Sequence, residues 1–129
     1  MSEPIVTNLA KIWEDENQIM HILFFQRAEL TKEDIEEYVK SCVQLSGGKQ
    51  SLVLTDFSNI SYFAMGALKK IIGPELTRIT KASAVLVKPS SPIVLTGISF
   101  LLKIEKEPFP IKVFTDEKEA TNWLLSMKN

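Results

Sequence analysis

Asp56, Ser58 and Ser61 crowd oxygen chemistry into one bend of the chain, just past the apolar run at 52–54. Such a carboxylate can hold a cation or move a proton, and the hydroxyls can accept a phosphoryl group. All three can also bond the backbone of their own turn. An aspartate at the end of a strand most often caps the turn that follows, and Asp56 is read that way. Ser58 and Ser61 fit turn and N-cap positions, with phosphorylation as the rival role. The next residues, Tyr62, Phe63 and Met65, are aromatic or thioether. Helical spacing from 63 to 72 places Phe63, Ala67 and Ile71 on one face and leaves Tyr62 and Met65 nearer the loop. These side chains suit either a core or an adhesive contact surface.

The remaining reactive side chains are few. His21, the single histidine, interrupts an apolar run at 19–25. No Ser, Cys or Asp can be placed beside it from spacing, so it reads as a satisfied structural histidine. Cys42, the single cysteine, falls on the apolar stripe of a helix and reads as a small hydrophobe. One cysteine and one histidine permit neither an internal disulfide nor a Cys/His zinc site. The expectation is no cofactor, no metal and no catalysis.

These residues need elements to position them. Alternation at 9–14 (Leu9, Lys11 and Trp13 against Ala10 and Ile12) predicts a strand, and 15–18 a turn. The run at 19–25 suits a strand covered on both faces. Thr31 is the expected N-cap of a helix whose stripe is Ile35, Val39, Cys42 and Val43, ended by Gly47 and Gly48. A buried strand at 52–54 and a helix at 63–72 follow, stopped by Gly73-Pro74. Another turn or two at 75–80 buries Leu76 and Ile79. A strand at 83–87 leads to a helix at 92–104 capped by Ser91, with Pro92 in its first turn. The chain closes with a strand at 111–114 and a helix capped by Asp116, with Ala120, Trp123, Leu124 and Met127 inward. Residues 1–8 read as a flexible lead-in.

The order β-β-α-β-α-β-α-β-α implies an α/β fold with a mostly parallel five-stranded sheet and helical crossovers. At 129 residues the chain fits one domain. A net charge of -1 argues against nucleic-acid binding, which needs a basic excess. The sole adjacent basic pair, Lys69-Lys70, reads as a solvated helix face. The N-terminus lacks a secretory pattern, and no apolar run reaches the ~20 residues of a membrane span. A cytoplasmic location is expected.

The element order resembles the sulfate-transporter and anti-sigma-factor-antagonist (STAS) domain over nearly the whole chain. The local match is residues 56–68. STAS switch segments commonly read Asp-Leu-Ser-Gly-Val-x-Phe-x-Asp-Ser-Ser-Gly-Leu, and Asp56, Ser58, Ile60, Tyr62 and Leu68 fit by identity or type without a gap. The segment 117–124 also looks like the last helix of small bacterial STAS-like proteins of unknown function. The family's regulatory modules are switched by phosphorylating a serine at a helix N-terminus, and the aligned position here is Gly66. Ala64 stands where an acidic residue is usual, with Met65 between. Glycine has no hydroxyl, so the resemblance implies the scaffold without its phosphoserine switch.

The reading that follows is a non-enzymatic, STAS-like regulatory module that docks on a protein partner, expected to be a homodimer. Its contact set is Asp56, Ser58, Ser61, Tyr62, Phe63, Met65 and Gly66. The helix at 92–104 has an apolar arc wider than packing on a sheet requires. It suits a dimer face, the wall of a lipophilic pocket or a membrane-surface helix, and only Lys103 and Lys106 offer a basic rim. The alternative function is a small carrier or sensor of a lipophilic ligand, lined by Phe63, Met65, Ile98 and Leu101.

Overall fold

The computed structural model describes residues 3–25, 31–59, 74–88 and 109–128. Within them lie β1 (Ile5–Val6), β2 (Ala10–Glu14), β3 (Ile19–Phe24), α1 (Lys32–Ser46), β4 (Ser51–Asp56), α2 (Pro74–Ile79), β5 (Thr80–Leu86), β6 (Ile111–Phe114) and α3 (Glu117–Ser126). The expected helices at 63–72 and 92–104 fall outside the described residues.

The strands form one sheet in the order β1-β2-β3-β4-β5-β6. The first two junctions are antiparallel and the other three parallel. A sixth strand therefore joins the five expected. It comes from the supposed lead-in, where Ile5 pairs with Ile12 and Val6 with Lys11. Thr7 makes that pairing possible. Its hydroxyl donates to Ala10 O and accepts from the N–H groups of Leu9 and Ala10, closing the turn before β2. Leu9 belongs to this turn, so the alternation does not extend to it. It is buried with Ala10 and Ile12 rather than sharing the face of Lys11 and Trp13.

The β2–β3 hairpin closes through a three-residue loop. Asp15 and Ile19 bond across it, and Gln18 adopts a left-handed φ of 63°. That conformation normally falls to glycine or asparagine.

Thr31 caps α1 by accepting from the Asp34 N–H, and Gly47 ends it at φ 63°. The buried stripe is rotated from the one expected. Ile35 and Cys42 are inside, but Tyr38 lies between them at 1% exposure while Val39 and Val43 are only half-buried. Tyr38 turns inward because Phe24 of β3 meets it, with ring centroids 5.2 Å apart.

Two apolar layers sandwich the sheet. One joins α1 and α2 to Ala10, Ile12, Met20, Ile22, Phe24, Val53 and Val85. Right-handed crossovers between sequential neighbours place successive connections on one face, as α1 and α2 are. The other layer packs Ala120 and Leu124 of α3 on Leu52, Leu54, Ala84, Leu86 and Phe114. β4 is thus covered on both sides, which explains its unalternating sequence. β3 is not covered throughout. Its outer face carries half-buried His21 and Leu23 beside Trp13 of β2.

Two stability tests follow. Tyr38→Ala should lower the unfolding free energy by about 3–5 kcal/mol, the usual loss for a large core aromatic. Gln18→Gly should raise it by about 0.5–1 kcal/mol by relieving the left-handed side chain. Urea denaturation at neutral pH reads both.

Candidate functional site

The parallel strands end where β4 runs into the 56–59 turn, the usual place for function in an open α/β sheet. Asp56 pairs with Leu23 of β3 on one side and Leu86 of β5 on the other. Phe57 prolongs that register, its N–H donating to Leu86 O at 2.8 Å. Its ring is buried against Phe24, centroids 5.0 Å apart and nearly parallel. The backbone leaving β4 is therefore held by a sheet bond and by an aromatic contact. Asp56 Oδ1 then accepts the Ser58 N–H at 2.8 Å. This is the turn-capping role expected of it. Ser58 is half-buried and Asn59 exposed.

Asp56 and Ser58 are therefore brought together, by backbone capping. Ser61, Tyr62, Phe63, Met65, Gly66, Ile98 and Leu101 lie outside the described residues.

His21 has a partner that spacing did not reveal. Its Nε2 lies 2.7 Å from Asp15 Oδ2. A carboxylate only accepts, so Nε2 carries the proton and donates. The ring stacks on Trp13, centroids 5.0 Å apart and 9° from parallel. Lys11 Nζ sits 5.4 Å from the Trp13 ring centroid, within cation–π range. Hairpin register makes the cluster, since Trp13 stands directly opposite His21 on the outer face. The signal in the sequence was the alternation of β2 combined with the short turn, which together fix that pairing.

Asp15 also fastens the turn, with Oδ1 accepting from the N–H groups of Asn17 and Ile19. Burial pushes its carboxyl up. The His21 bond and the two backbone bonds outweigh that and hold it below the usual carboxylate range. Asp34 is likewise lowered, first by the Asn8 side-chain amide and then by Thr31. Cys42 is inert by environment. Burial raises its thiol to about 12, against the opposing pull of the Tyr38 bond. Among the described residues no group of His, Cys, Asp and Glu has the arrangement of a metal site. No helix among them is long and apolar enough to cross a membrane.

Comparison with known proteins gives a family and a fold. The chain belongs to the family described as Domain of unknown function (DUF7793), whose model matches residues 12–128. No curated protein matches the sequence. Among solved structures, the chain is similar to an uncharacterized DUF3478-family protein with a SpoIIAA-like fold from Shewanella loihica PV-4. That similarity has 18% identity, a TM-score of 0.60, and coverage of 96% of this chain and 98% of the other. A protein of unknown function from Arthrobacter sp. FB24 is 22% identical over 93% and 95% of the two chains, with a TM-score of 0.33. The fold is thus STAS-like, since SpoIIAA-like folds are of that type.

Asp56→Ala should cost about 1 kcal/mol by freeing the Ser58 N–H, while Asp56→Asn, which keeps an acceptor oxygen, should cost less. Urea midpoints decide between them. The lowered Asp15 and Asp34 carboxyls set a pH dependence. Each contributes stability above its unfolded value of about 4, and that contribution disappears as pH falls through the lower folded value. Unfolding free energy should therefore drop on acidification. Asp15→Asn should make the drop shallower.

Proposed function

We propose that this chain is a non-enzymatic regulatory module that docks on another protein through the end of β4 and the residues that follow. The observation that carries the reading is the bond from the Ser58 N–H to Asp56 Oδ1. It gives the Asp56 carboxylate at the end of β4 a structural task, so in this reading the turn offers a shape rather than a reactive acid. The STAS-like fold adds an analogy at the level of architecture.

Docking here proceeds without the phosphoserine device, because Gly66 stands where the family's serine would be. Recognition then rests on side chains close in sequence to the turn, Tyr62, Phe63 and Met65. Such groups contribute apolar area and adapt to a partner. The module acts as a homodimer, with the apolar helix sequence at 92–104 as its contact.

Chemical cross-linking in cells followed by affinity capture tests the docking reading. The wild-type chain should retain one partner reproducibly. Tyr62→Ala with Met65→Ala should lose it, and Asp56→Asn should keep it. Light scattering after size exclusion should give twice the mass of the chain, and a strict monomer would remove the homodimer.

A further inference from the structure

At the end of the sheet opposite Asp56, the first residues of β4 and β5 meet the closing turn of α1 and the residue Lys128 beyond α3. They surround a cleft of 450 Å³. Its walls are the end of β2 and the β2–β3 turn, the segment after α1, and Lys128 beyond α3. The volume is that of a small-molecule site, but the lining is mostly polar and so suits a polar guest. Lys49, Lys81 and Lys128 come from three separate parts of the chain and converge there with a single carboxylate, Glu14. The whole chain carries -1, so this excess of positive charge is local. Among the described residues the one ion pair is that of His21 with Asp15, and none of the three lysines has a carboxylate partner.

We propose that this cleft binds a small phosphorylated molecule. The lysines hold its phosphate oxygens as mobile point charges. Gln18 and Gln50 supply amide groups for its neutral part. Gln18 bears on the cleft in a second way. It holds the left-handed position of its turn, where glycine is easier, and it is one of the residues that line the site.

Part of this charge has another use. Neither α1 nor α3 has a basic residue in its last turn, and Lys49 and Lys128 stand just beyond their negative ends. Lys81 differs. It lies on β5, and the short helix before it already carries Arg78 in its last turn. Helix-end compensation therefore does not account for all three cations in one place.

Isothermal titration calorimetry of the full chain with inorganic pyrophosphate, ADP and adenosine tests the proposal. Backbone amide shifts recorded by NMR locate the site. Both phosphorylated probes should bind, adenosine should not, and the shifts should cluster at 46–52 and at Lys81. Affinity should fall with ionic strength. Lys81→Gln should weaken binding roughly fivefold, as expected for one partly exposed charge contact. Gln18→Gly, which leaves the fold intact, should also weaken ADP. Absence of binding by both phosphorylated probes overturns the proposal. So does binding that Lys81→Gln leaves unchanged. Lysine substitutions that only lower the thermal midpoint, with flat titrations of the wild type, assign these side chains to the helix ends alone.

Discussion

Phe57 is the residue on which the arrangement at the top of the sheet depends. It has just left β4, yet its N–H still bonds to Leu86 O and its ring lies on Phe24. Phe24 in turn meets Tyr38 of α1. Three aromatic side chains thus join β3, the first crossover helix and the exit from β4. Aromatic pairs of this kind add about 0.5–1.5 kcal/mol each beyond the area they bury. With Phe57 fixed, the backbone of Asp56 cannot swing, and its carboxylate meets the Ser58 N–H. The turn is consequently an extension of the core rather than a free loop, and a preformed surface loses little conformational entropy on binding.

The two ends of the sheet are chemically different. The upper end has a turn capped by Asp56, followed by a sequence rich in aromatic and thioether side chains. The lower end gathers lysines and amides around a polar cleft. We have proposed a protein as the partner of the first surface and a small anion as the guest of the second. A regulatory module with both would have a contact face and a separate place to sense a metabolite. Coupling between them would require the ligand to favour one arrangement of the strands that link the two ends, since a ligand without such preference shifts nothing.

Sequence pattern was enough to place β2, β3, β6, α1 and α3, and the two helices also have explicit caps: Thr31 for α1 and Asp116 for α3. It also anticipated the turn-capping role of Asp56, which follows from residue type and position. β1 was not legible, since two residues carry no pattern and their pairing depends on the Thr7 hydroxyl. Tyr38 was missed because a phenol scores as half polar, and only its contact with Phe24 shows why it turns inward. The Asp15–His21–Trp13 cluster needed hairpin register, which composition does not state. The lysines of the lower cleft are far apart in sequence, and only folding brings them together.

Amide hydrogen exchange followed by NMR tests the central claim, that the exit from β4 is held as part of the core and offers a fixed docking shape. Phe57 bonds into β5 and Ser58 to Asp56, so both amides should be protected close to the level of β4 itself. Free exchange of Ser58 and Phe57, at the rate of an unstructured chain while β4 stays protected, would contradict the account.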